Sequence, residues 1–319
     1  MFWIRPPKGE TQNNPKRCRA ALATALQKMP LIKIADRQLE YEWHGPSPEL
    51  APTLVFLHEG LGCVAMWRDF PARVAEQTGC GALVYSRAGY GKSEPIELPR
   101  QVTFMHQEAL GTLPQMLDAF SIRAAILVGH SDGGSISIIH AGGTSDSRVR
   151  GLILEAPHVF VEELGLKSIR AIAEDYRTHR AGTMPPHRPQ DAGAPMDTGA
   201  PMPPMGASVL RQRLARYHGE NVDETFWGWN DVWLNPEFAS WNIEEYLPKI
   251  NVPVLLIQGE DDQYGTSEQI RRIEAGCKGP VRTVLLTDCG HSPHLDQPKR
   301  TVAAINEFLR ETLKWPSAP

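Results

Sequence analysis

Three short stretches of this chain hold residue types that could do nucleophilic chemistry together. Gly129-His130-Ser131-Asp132-Gly133 is a G-x-S-x-G pentapeptide, and it follows the apolar run Ala124–Val128 directly. That is the sequence form of a nucleophile elbow, in which a strand turns sharply into a helix with serine at the apex. Such a turn forces small neighbours, which Gly129 and Gly133 supply. A serine here could instead be an ordinary helix N-cap. A serine hydroxyl is a weak nucleophile at neutral pH and needs a base, with a third group to orient that base. The chain offers both at the ends of later apolar runs. Val252–Ile257 leads into Gly259-Glu260-Asp261-Asp262, and Val281–Leu286 leads into Gly290-His291-Ser292-Pro293-His294. The order serine, acid, histidine is one that suits this chemistry on a parallel sheet.

The elements that must position these residues follow from hydrophobic rhythm. Leu31–Ile34 and Leu39–Trp43 read as an antiparallel hairpin at a sheet edge. From residue 53, solid apolar runs at 54–57, 82–85, 124–128 and 152–154 alternate with helical spacing at 65–77, 104–120 and 131–141. After residue 250 the alternation resumes, with strands at 252–257 and 281–286 and helices at 266–275 and 300–313. Runs that are apolar throughout, separated by helices, predict an α/β protein with a mostly parallel, doubly wound sheet covered on both faces. Ligands on such sheets gather at the strands' C-terminal edge, where all three stretches fall. Residues 30–156 and 248–319 form this core.

Between them, residues 157–247 lose the rhythm and read as an inserted helical cap, with helical patterns at 163–176 and 210–217. The cap holds Trp227, Trp229, Trp233 and Trp241, four of the eight tryptophans. Within it, 181–206 is rich in Pro, Gly, Ala and Met and reads as a loop that buries too little apolar surface to order itself. Residues 1–29, polar and basic with three prolines, read as a loosely ordered extension, and Met29 is an alternative start.

The chain has 319 residues, 41% hydrophobic and 22% charged, enough for a large core. A net charge of −4 gives no reason to expect nucleic acid or an anionic membrane as partner. Five widely spaced cysteines without a CxxC argue against a disulfide framework or zinc cluster. With no run of 18 apolar residues and no signal-peptide shape at the start, a cytoplasmic setting is the expectation. The partner expected is a small-molecule substrate, and homo-oligomerisation is left open. Asp288, His291, His294 and Asp296 together could suggest a metal site, but no zincin helix motif accompanies them. No metal or cofactor is expected.

From about residue 31 to 313 the chain resembles the α/β-hydrolase superfamily, in its branch of capped esterases and C–C bond hydrolases. The resemblance rests on His58-Glu59-Gly60, Ser86-Arg87-Ala88-Gly89-Tyr90-Gly91-Lys92-Ser93, the elbow, G-x-x-D at 259–262 and Gly-His-x-Pro at 290–293. It implies Ser131 as nucleophile, Asp262 as the acid, ahead of Glu260 and Asp261, and His291 as the base, ahead of His294. It also implies an oxyanion hole from the backbone N–H of Asp132 and one from the loop after the third strand. That loop usually reads His-Gly; here glutamate intervenes, so Gly60 is the first choice and Leu61 the second. His58, Glu59, Trp227, Trp229 and His294 are candidate substrate contacts. Arg87 is expected to tie loops together beneath the site. The activity implied is hydrolysis of a small carboxylic ester or related acyl compound. The alternatives are C–C bond hydrolysis of a ring-fission-type diketone and a non-catalytic ligand receptor on the same fold.

Overall fold

The computed structural model describes residues 30–177, 208–311 and 314. The extension at 1–29 and the whole 181–206 loop, both read from the sequence, lie outside these described residues. Eight strands form one sheet: β1 Leu31–Ile34, β2 Arg37–His44, β3 Thr53–Leu57, β4 Gly81–Tyr85, β5 Ala125–His130, β6 Val149–Glu155, β7 Val254–Gly259 and β8 Val281–Leu286. Their spatial order is β1-β2-β4-β3-β5-β6-β7-β8. The hairpin β1–β2 joins β4 antiparallel, and every later pairing is parallel.

Alternation along the strands explains the double winding. In β3, Val55 and Leu57 enter one core, while Leu54 and Phe56 enter the other. Ile126 and Val128 of β5 likewise point opposite to Leu127. Both faces therefore need helices. One face is covered by α1 (Phe70–Thr78) and α10 (Pro298–Glu311), which contribute Phe70, Val74, Ile305 and Phe308. The other receives α2 (Phe104–Gln107), α3 (Leu113–Ala119), α4 (Asp132–Gly143) and α8 (Ser267–Gly276).

Two helices differ from the sequence reading. The stretch 65–77 is broken: a 3₁₀ turn at Val64–Trp67 ends at Arg68, whose φ is +54°, and α1 begins only at Phe70 with Pro71 in its first turn. The stretch 104–120 is interrupted by a π turn at Glu108–Thr112, after which Pro114 sits in the first turn of α3.

Between β6 and β7 lie α5 (Glu163–Arg177), α6 (Val209–His218), α7 (Val222–Trp233) and the short α9 (Pro293–Asp296) follows β8. The first three share a small core of Ala173, Tyr176, Leu214, Val222 and Phe226. Polar side chains fix them to the loop after β4. His218 Nδ1 accepts from Gly91 N–H at 2.9 Å, Asn221 Nδ2 donates to Ser93 O at 2.8 Å, and Thr225 Oγ1 donates to Gly89 O at 2.6 Å. The inserted helices thus lie over the C-terminal ends of the strands, above the elbow.

Candidate active site

Ser131 sits between β5 and α4 with φ +52° and ψ −116°, a conformation that few non-glycine residues adopt. The flanking glycines are required by close backbone approach. A Cβ on Gly129 would stand 2.3 Å from Gly133 O, and one on Gly133 would stand 1.9 Å from Leu57 O. Ser131 precedes a helix, yet its side chain makes no cap hydrogen bond, so its hydroxyl is not spent on the backbone. The turn is held by Ser131 N–H donating to Glu155 O at 2.9 Å.

The late loops converge as their order in the chain requires. His291 Nδ1–H donates to Asp262 Oδ1 at 2.9 Å and to Oδ2 at 2.8 Å. This fixes the tautomer and leaves Nε2 unprotonated. Asp262 also accepts from Gln258 Nε2, Tyr264 N–H and Gly265 N–H, at 2.7, 2.8 and 3.2 Å. Burial raises the Asp262 carboxyl, but the neighbouring His291 and these donors outweigh it and hold the group well below the usual carboxylate range. Gly259 allows the two loops to meet, since a Cβ there would lie 2.2 Å from Gly290 O.

His130, the residue before Ser131, connects the two halves. Its Nε2 bonds the His291 carbonyl at 2.7 Å, and the two rings are 5.2 Å apart. Its Nδ1 faces Glu59 Oε2 at 3.6 Å. Among the described residues no hydrogen bond joins the Ser131 hydroxyl to the His291 ring.

The loop after β3 is clamped from below. Arg87, only 2% exposed, donates from Nη1 to His58 O at 2.6 Å and from Nη2 to Glu59 O at 2.9 Å. His58 Nδ1–H donates to Glu59 O at 2.7 Å, and its Nε2 accepts from Arg87 N–H at 3.1 Å. Burial pushes this imidazole well below its ordinary pKa. Leu61 O is held by His218 Nε2–H at 2.9 Å. From above, α7 lays Trp229 against Gly60, where a Cβ would meet the indole nitrogen at 2.0 Å. One turn on, Trp233 Nε1 donates to Asp132 Oδ1 at 3.2 Å. Burial raises the Asp132 carboxyl to about 6, against the lowering field of Arg87 and the Trp233 bond.

The expected substrate contacts divide. Glu59 and Trp229 lie at the loop after β3, beside the group around Ser131. His58 does not face a ligand, because both of its ring nitrogens are committed to backbone. His294 is turned to the core: its backbone N–H and its Nδ1 both bond Glu155 Oε2, and its ring lies 4.6 Å from that of Trp67. Trp227 is placed with Tyr176, Phe226 and Arg177, two residues round the helix from Trp229 and away from the elbow. The acids and histidines at 288–296 do not act as one cluster either, since His291 pairs with Asp262, His294 with Glu155, and Asp296 accepts from Gly290 N–H.

Sequence reasoning missed Glu155, His130, His158 and His218. Glu155 carried a signal, being an acid directly after the apolar run 152–154. The histidines carried none, because their partners are more than twenty residues distant.

With this geometry in hand, the comparisons are direct. The sequence profile of the alpha/beta hydrolase family matches residues 54–305, and the chain belongs to that family. It is 26% identical over 288 residues to the 2-succinyl-6-hydroxy-2,4-cyclohexadiene-1-carboxylate synthase of Yersinia pestis (strain Pestoides F), covering 88% of this chain and 96% of the relative. Among solved structures it is similar to a thermophilic esterase from Thermogutta terrifontis, with a TM-score of 0.63 at 17% identity over 89% of this chain and 98% of that one. It is also similar to the enol-lactonase of Burkholderia xenovorans LB400, with a TM-score of 0.61 at 20% identity over 88% and 100%. At these identities the structures speak to the fold. Among the described residues, no helix is long and apolar enough to cross a membrane.

Proposed function

We propose that the chain is a serine hydrolase that cleaves a small carboxylic ester or related acyl compound through an acyl-enzyme. The observation that carries this reading is the doubly hydrogen-bonded Asp262–His291 pair, packed against the residue before a strained Ser131 whose hydroxyl the backbone does not claim. In the reaction, His291 Nε2 takes the proton from Ser131 Oγ, and the oxygen attacks the acyl carbon. The charge that develops on the carbonyl oxygen meets the backbone N–H of Asp132 and of Gly60, with Leu61 as the other donor considered. His291 then gives its proton to the leaving alcohol, and water, activated by the same imidazole, releases the acid. Asp262 orients the ring and stabilises its charged form.

The name of the Yersinia relative denotes formation of a carboxylate-bearing ring compound. Here the buried Arg87 and the half-buried Arg100 are directed at backbone carbonyls: Arg87 at His58 and Glu59, Arg100 at Ala88. Their charge also acts on the acid Asp132, which directly follows Ser131. This favours an uncharged acyl substrate over that chemistry. The test is turnover of p-nitrophenyl acetate and butyrate by the purified protein beside Ser131→Ala. We expect release of p-nitrophenol by the wild type alone; equal rates would remove the proposed nucleophile.

A further inference from the structure

We propose that His158 is a substrate-recognition residue, and that the acyl group of the substrate carries an uncharged hydroxyl or carbonyl oxygen that its imidazole hydrogen-bonds. This rests on the acyl-hydrolase reading and adds the substrate class to it. His158 follows β6 after a bend in which Ala156 has φ +46°. Its ring lies 5.5 Å from that of His291, tilted by 33°, and 5.5 Å from that of Trp233, edge to face. It is therefore held between the proposed base and the helix that covers the site.

The other imidazoles here are committed. His58 and His218 use both nitrogens on the backbone, His291 uses Nδ1 on Asp262, His130 uses Nε2 on the His291 carbonyl, and His294 uses Nδ1 on Glu155. His158 has no ring hydrogen bond among the described residues, although it is only 5% exposed. The position of the ring is set by its backbone and its neighbours. Ser135 Oγ donates to His158 O at 2.6 Å, and Gly265 lets the ring approach, since a Cβ there would lie 3.1 Å from Cε1.

A buried polar group without a partner is costly, and such groups in native proteins meet a ligand or water. Burial pushes this imidazole down to about 3, with the charge of His291 acting in the same direction. The ring is neutral at any working pH and offers one donor and one acceptor. A neutral donor suits an oxygen without charge. It also leaves undisturbed the imidazolium that must form on His291.

The experiment compares matched esters: p-nitrophenyl 3-hydroxybutyrate with butyrate, and p-nitrophenyl 4-oxopentanoate with pentanoate. A site built to hydrogen-bond a substrate oxygen rejects the analogue that lacks it. We expect kcat/KM to favour an oxygenated ester over its plain match at least tenfold, equally from pH 6 to 8. His158→Phe should bring that ratio to about one, and His158→Gln, which keeps a donor and an acceptor, should restore part of it. A wild-type ratio near one for both pairs overturns the proposal and leaves the hydrolase reading standing, as does a ratio that His158→Phe leaves unchanged. Turnover of none of the four esters overturns both.

Discussion

The contact between Gly60 and Trp229 makes a sharp prediction, because it joins the proposed oxyanion loop to the inserted helices. Replacing Gly60 by alanine places a Cβ 2.0 Å from the indole nitrogen, 2.2 Å from Cδ1 and 2.8 Å from Cε2 of Trp229. Ordinary contact needs about 3.5–4 Å, so the loop or the indole must move by roughly 1.5 Å. Neither side yields freely. The loop is clamped by Arg87 and His58, and α7 is fixed at both ends, by Thr225 to Gly89 and by Trp233 to Asp132. Overpacking of this kind costs about 1–3 kcal/mol, which in a chain of this size lowers Tm by about 1–2 °C per kcal/mol. A displacement of about 1 Å at the reacting centre costs on the order of 10²-fold in rate. The assay is thermal unfolding together with kcat/KM on p-nitrophenyl butyrate, for Gly60→Ala alone and in a Trp229→Leu background. In that background the stability cost of Gly60→Ala should shrink by about 1–2 kcal/mol, the non-additivity expected of residues in contact. An unchanged Tm and rate in the single variant, or the same cost in both backgrounds, would refute the reasoning.

Two further predictions follow from the late loops and the buried histidines. Asp262→Asn keeps an oxygen for the Tyr264 and Gly265 N–H groups but turns an amide toward His291 Nδ1–H, which selects the wrong tautomer. kcat should fall by about 10⁴-fold with an unchanged far-UV circular dichroism spectrum. Stability should also fall in acid. His58, His158 and His218 are kept neutral by burial, with His218 at about 4 and His158 at about 3. Unfolded histidine has a pKa of about 6.5, so below that value the unfolded chain binds protons that the native state refuses. Each of these histidines then costs up to about 1.4 kcal/mol per pH unit as pH drops from 6.5 toward 4. His130 and Asp132, whose pKa values are raised, Asp132 to about 6, work in the opposite sense and offset part of this. The urea midpoint should therefore drop steeply between pH 7 and 5, and a flat or rising midpoint would contradict the burial argument.

Much of the candidate site's geometry was legible in the sequence, for a local reason. A nucleophile elbow is written in the residues at −2 and +2, since the backbone approaches at Gly129 and Gly133 admit no side chain. Asp262 and His291 were legible because both end apolar runs, and strands of a parallel sheet deliver their ends to one edge. Arg87 was read correctly as a tie between loops. What stayed hidden depends on packing between distant segments. His58 and His294 are polar residues beside motif positions, and only the fold shows their nitrogens turned to backbone and to Glu155. Trp227 and Trp229 are alike in sequence, but opposite faces of α7 send one into the small core with Tyr176 and the other onto Gly60. His158, His130 and His218 had no local mark at all. The helix expected over 65–77 failed at Arg68, where apolar spacing continued through a residue whose backbone is left-handed.

The central claim is that His291, oriented by Asp262, makes the Ser131 hydroxyl reactive toward an acyl carbon. The direct measurement is the rate of covalent labelling by a fluorophosphonate, followed by intact mass and peptide mapping, in the wild type and in His291→Ala. General-base assistance contributes about 10²–10⁴-fold, so one adduct should form on the peptide containing Ser131, and its formation should slow by at least about 10² in the variant. Labelling at another residue, or at the same rate without the imidazole, would contradict the account.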